Sequence, residues 1–156
     1  MNRYLRTLSF AIAIATGAFL VFQVQPIVSK RNLPWFGSSP AVWTTCMLFF
    51  QVVLFGGYLY AHTLTKLFAP RRQGLIHALL VCVALIALPI IPDVSWKPLN
   101  GEQPSLRILM LLPASVGVPY FVLSATGPLM QSWFAHVTLG RSPYRFFALS
   151  NLGSLL

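Results

Sequence analysis

Few side chains in this chain could take part in chemistry. The carboxylates are Asp93 and Glu102, the thiols Cys46 and Cys82, and the imidazoles His62, His77 and His136. Both acids fall in one loop. No Ser/His/acid arrangement, HExxH helix, phosphate-binding glycine loop or dinucleotide-binding GxGxxG turn occurs. The cysteines form no CxxC or Cys/His spacing, and both lie inside apolar runs, where a thiol serves as a small apolar residue. No catalytic residue, metal ligand or cofactor is expected of this chain.

One polar constellation stands out, within Ala41 to Leu64. Gln51, Phe55, Tyr58 and His62 are spaced by four, three and four, so they share one helical face, and Gly56 and Gly57 cut a notch beside it. On a membrane helix such a face either bonds to neighbouring helices or lines a substrate cavity. Gln51, Tyr58 and His62 are therefore the candidates for substrate contact. His77, near the basic end of another apolar run, reads as an interfacial polar residue.

The elements that carry these residues follow from composition. The chain is 56% hydrophobic and 8% charged, against roughly 25% charged residues in soluble domains. There is too little polar surface to cover a globule in water. The net charge of +9 does not point to nucleic acid, because the basic residues sit in pairs at the ends of apolar runs: Arg3 with Arg6, Lys30 with Arg31, Arg71 with Arg72. That is the pattern of membrane flanks, where charge meets lipid head groups.

The fold class expected is all-α, a polytopic transmembrane bundle of four spans and the start of a fifth, forming a single membrane domain over residues 1–156. Residues 8–28 form the first span. It begins like a signal peptide, but it is long and is followed by Gln25-Pro26 rather than a small-x-small site, so it reads as uncleaved. Ser9, Ala13 and Gly17 place small residues four apart, suited to close helix approach. Residues 29–40 form a loop broken by Pro34, Gly37 and Pro40. Residues 41–64 are the second span, uncharged throughout and long enough to cross a hydrocarbon core of roughly 30 Å. Residues 75–91 are a short third span ended by Pro89 and Pro92, and a surface-like loop from 93 to 106 follows. Residues 108–130 are the fourth span. Pro113, Pro119 and Pro128 mark it for irregular backbone, a feature that can build binding sites in transporters. Residues 131–144 read as a semi-polar loop, and 145–156 begin an apolar helix too short to cross, as in a piece of a longer protein.

Counting basic residues by side places Arg3, Arg6, Lys66, Arg71, Arg72, Arg141 and Arg145 opposite Lys30, Arg31, Lys97 and Arg107. The excess favours an amino terminus in the cytoplasm.

The string from Gln25 to His62, QPIVSKRNLPWFGSSPAVWTTCMLFFQVVLFGGYLYAH, resembles the amino-terminal membrane region of bacterial proteins that fuse a transporter-like part to spermidine synthase. SATGPLMQSWFA (124–135) and SPYRFFALSNLGSLL (142–156) are similar to the same family and follow in the same order. Ser38 stands where a second glycine is usual. The resemblance implies an inner-membrane protein whose soluble domain transfers an aminopropyl group from decarboxylated S-adenosylmethionine to a diamine. It also implies partners for these helices: the bilayer, further helices and the soluble domain of the same chain. The acids and glycine loop of that chemistry are not in this sequence, so the resemblance implies a non-catalytic anchor or scaffold. The alternative is part of a transporter-like module moving a polyamine or another small solute.

Overall fold

The computed structural model describes residues 3–37, 39–88, 104–137, 148 and 151–153. Among them the regular structure is all helical. Helix α1 runs Arg3–Phe36, α2 Pro40–Leu67, α3 Pro70–Ile86 and α4 Pro104–Leu112; a π-helical turn over Pro113–Gly117 leads into α5, Val118–Val137. Three stretches are long and apolar enough to cross a membrane: Thr7–Phe36, Pro40–Leu67 and Pro104–Val137. Among the described residues the fold is thus all-helical, with three helices of a length and composition that suit a membrane.

The boundaries depart from the sequence reading at three places. The expected loop over 29–40 is mostly helix, and only a short connection around Gly37 remains. Pro26 and Pro34 each remove one backbone donor without breaking α1. Tertiary contacts hold this end in place: Ser29 is buried and hydrogen-bonds to Cys46 of α2, and Phe36 joins the core. Gly37 then takes a φ of 83°, a left-handed conformation that glycine adopts without steric cost and that stops the helix. The third helix begins earlier than expected, at Pro70, and ends at Ile86. The last apolar helix is longer than 108–130 and absorbs residues 131–137, read before as loop. The surface-like loop (93–106) falls outside the described residues up to 103, as do most of 138–156.

Local signals explain the starts. Ser39 has extended backbone and its hydroxyl accepts from the Val42 N–H at 3.4 Å, with Pro40 at the first helical position. Pro70 opens α3 in the same way, and the Arg72 and Gln73 N–H groups donate to the Ala69 carbonyl. Lys66 lies in the last turn of α2, where a cation suits the helix dipole.

The stretch from 104 to 137 is the centre of the bundle. Phe10 and Ile14 of α1 pack on Phe134, and Val21 meets the cluster around Tyr120, so α1 runs antiparallel to α5. On α2, Phe50 packs edge-on against Tyr120 with ring centroids 4.8 Å apart, and Ala61 and Leu64 meet Leu129, so α2 runs parallel to α5. The α3 contacts with α5 run from Gln73 at Trp133 to His77 at Thr126, which makes α3 antiparallel. Ile108, Leu111, Leu112 and Val116 are almost fully buried with Val42, Cys46 and Phe50. The widened turn falls where the prolines predict irregular backbone. Pro113 opens it, Pro119 follows directly after, and the Ser115 hydroxyl donates to the Leu111 carbonyl at 2.8 Å.

Two helices approach closely at Gly57. A Cβ there would collide with the Ser124 hydroxyl oxygen and stand 3.1 Å from the Phe121 carbonyl oxygen, which belongs to the backbone and cannot rotate away. At Gly56 a Cβ would meet only the Phe121 ring, at 3.6 Å. Gly57→Ala is expected to destabilise the bundle by about 1–3 kcal/mol, the cost of overpacking a tight contact, while Gly56→Ala is close to neutral. Thermal unfolding of both variants in detergent checks this; equal melting temperatures would refute the close contact.

Candidate functional site

The polar face expected on α2 does not pack against the described helices. Gln51, Phe55, Tyr58 and His62 are all exposed, Tyr58 at 51% and Phe55 at 69%. The face of α2 that meets its neighbours carries Cys46, Phe50, Gly57, Ala61 and Leu64 instead. The spacing argument thus holds for which residues share a face. Of the expected site residues, Tyr58 reaches a cavity lined by described residues, and the structure does not gather Gln51, Tyr58 and His62 around a common point.

That cavity lies between α1, α2 and α5 and has a volume of about 330 Å³. Tyr58, Ser124, Gln131 and Asn151 give it hydrogen-bonding groups, and Ile14, Val21 and Leu123 are among its apolar walls. Ser124 is buried, and its hydroxyl donates to the Phe121 carbonyl at 2.7 Å. Gly17 also borders the space, where a Cβ would meet nothing within 4 Å. The small-residue position on α1 therefore opens onto a cavity rather than onto a helix contact. Gly153 makes the close contact with α1 instead: a Cβ there would stand 2.7 Å from the Ala15 carbonyl oxygen.

A second polar group, not anticipated as a unit, joins α3 to α5. The Gln73 amide donates to the Phe68 carbonyl at 2.7 Å and accepts from the Trp133 indole N–H at 2.7 Å. One turn on, His77 Nε2 lies 3.1 Å from the Thr126 hydroxyl, which itself donates to the Val122 carbonyl at 2.8 Å. Because the Thr126 hydrogen is committed to Val122, His77 Nε2 is the donor of that bond, and its Nδ1 is left as a bare acceptor. Both His77 Nδ1 and the Tyr60 hydroxyl are buried without a hydrogen-bond partner among the described residues. Their rings are neighbours, with centroids 6.2 Å apart. His77 is 5% exposed, so it is an internal residue rather than the interfacial one expected. The available signal was the four-residue spacing of Gln73 and His77, which puts two amphiphilic side chains on one face of an otherwise apolar helix.

Among the described residues no group of three or more His, Cys, Asp or Glu could hold a metal ion. No family model matches the chain, and neither the curated proteins nor the solved structures include a significant match.

The Gln73–Trp133 bond supplies a direct test of the clasp. Gln73→Leu strands the buried indole N–H and is expected to cost about 1–3 kcal/mol. Gln73→Leu with Trp133→Phe removes both partners and should cost less than the sum of the single changes. Denaturation of the four proteins closes the cycle; strictly additive losses would mean that the two side chains are not coupled.

Proposed function

We propose that the chain is the membrane portion of a spermidine synthase-like fusion protein, where it anchors and scaffolds a soluble domain and carries no catalysis of its own. In this reading it sits in the inner membrane with its amino terminus in the cytoplasm. Its partners are the bilayer, further helices and the synthase-like domain of the same chain.

The observation that carries the proposal is where the family-like strings fall. The string from Gln25 to His62 supplies Ser29, Cys46, Phe50 and Gly57, and the string from Ser124 to Ala135 supplies Ser124, Leu129 and Phe134. These are the residues through which α1, α2 and α5 pack. Residue identities devoted to helix packing are what a scaffold requires. The transporter-like alternative draws support from the cavity beside Tyr58. A polyamine cargo fits it poorly, since no Asp or Glu among the described residues lines the cavity to receive a cation.

The scaffold reading predicts that Gln51→Leu, Tyr58→Leu and His62→Leu, made in the complete protein, leave aminopropyl transfer unchanged. Loss of transfer in a protein that still folds and inserts would count against it. Reading the coding frame past Leu156 tests the family: an acidic, glycine-loop-bearing soluble domain is expected there. Uptake of labelled putrescine into vesicles above the empty control would favour transport instead.

A further inference from the structure

We propose that the cavity between α1, α2 and α5 binds a small uncharged solute through hydroxyl or amide groups. The assignment stands apart from the scaffold reading and holds whether or not a synthase-like domain follows.

The argument starts from polar groups on two helices long and apolar enough to cross a membrane. The Gln131 amide and the Tyr58 hydroxyl both line the cavity, and neither has a hydrogen-bond partner among the described residues. An amide carries two donor hydrogens and an acceptor oxygen. Both are open to an occupant: Tyr58 is exposed and Gln131 is half-buried. Pro128 adds to the supply. It has no N–H, so the Ser124 carbonyl loses the helical donor four residues ahead. Donors and acceptors from α2 and α5 thus meet at one space of about 330 Å³, and Asn151 borders it as well. That volume lies at the lower end of the range for small-molecule sites.

The lining also selects by charge. Among the described residues it contains no Asp, Glu, Lys or Arg. A cation or an anion would give up its hydration without meeting a counter-charge, whereas a neutral polyol or amide exchanges water for Tyr58, Gln131 and the freed carbonyl. A larger hollow bordered by described residues shows the contrast. It measures about 630 Å³, is bordered by Leu48, Val52, Leu80, Pro113 and Phe121, and offers a solute almost no hydrogen-bonding group. A polar solute is therefore directed to the Tyr58 side.

The test uses the full chain in lipid nanodiscs and saturation-transfer NMR with glycerol, urea and acetamide as neutral probes, and putrescine and acetate as charged ones. The neutral probes should receive saturation above the level of empty nanodiscs, and the charged ones should not. Gln131→Leu should bring the neutral signal down to the empty-disc level. Tyr58→Phe, which keeps the ring and removes only the hydroxyl, should lower it several-fold and guards against a folding defect in the first variant. Equal signals from wild type and both variants, a neutral signal no higher than that of empty discs, or stronger transfer to putrescine or acetate would each overturn the proposal.

Discussion

Hydrocarbon offers a polar group no water to fall back on, and the bundle is arranged around one helix that must meet this constraint repeatedly. The stretch from 104 to 137 carries Pro113, Pro119 and Pro128, each of which frees a carbonyl from the helical ladder. It is also the stretch that α1, α2 and α3 all touch. Ser115, Ser124 and Thr126 turn their hydroxyls back onto its own carbonyls, at 2.8, 2.7 and 2.8 Å. These local bonds satisfy the hydroxyls within the helix itself, while the carbonyls that the prolines leave without their usual donor are those of Leu109, Ser115 and Ser124. The close fit of Gly57 against Ser124 and the Phe121 carbonyl then aligns α2 with it. Where a helix has no apolar face to turn away from water, such contacts decide which face meets which.

The fold was legible in the sequence to the extent that it depends on transfer to lipid. Uncharged apolar runs and basic flanks locate α1, α2 and the helix at 104–137 because length and composition alone make those helices possible. What depends on tertiary contact was not legible. Pro34 reads as a helix breaker, yet α1 continues to Phe36 because Ser29 and Phe36 are anchored against α2. The third helix has apolar residues all round, so its spacing says little about which side is buried. Gln73 and His77 turn out to hold it.

The same limit explains the site. Periodicity placed Gln51, Phe55, Tyr58 and His62 on one face of α2, and that is where they are. It could not say that this face looks away from the described helices, because a polar face in a membrane protein has no preferred direction until its neighbours are known. Tyr58, at one edge of that face, lines the cavity because it sits beside Gly57, which packs closely on α5. Ser124 escapes notice in the sequence because it lies in an apolar run, and Gln131 because it falls in the stretch that reads as a semi-polar loop; only the parallel pairing of α2 with α5 brings them next to Tyr58.

The two polar clusters of the bundle differ in what their groups face: at α3 they bond helix to helix, with His77 Nδ1 and the Tyr60 hydroxyl left without partners among the described residues, and at Tyr58 they face a cavity. Around Gln73 the bonds run from backbone to amide to indole without a gap, and the Thr126 hydroxyl is both a donor to Val122 and the acceptor for His77. Such a chain fixes the position of α3, which is 17 residues long and has little apolar length with which to do so. The cavity at Tyr58 has the opposite character: its amide and phenol are left unmatched, and the helix beside it is opened by Pro128. A bundle that needed only to anchor could fill that space with leucine, as it does along Leu111 and Leu112. Keeping it polar has a cost in hydrocarbon, and a neutral hydrogen-bonding occupant would offset that cost.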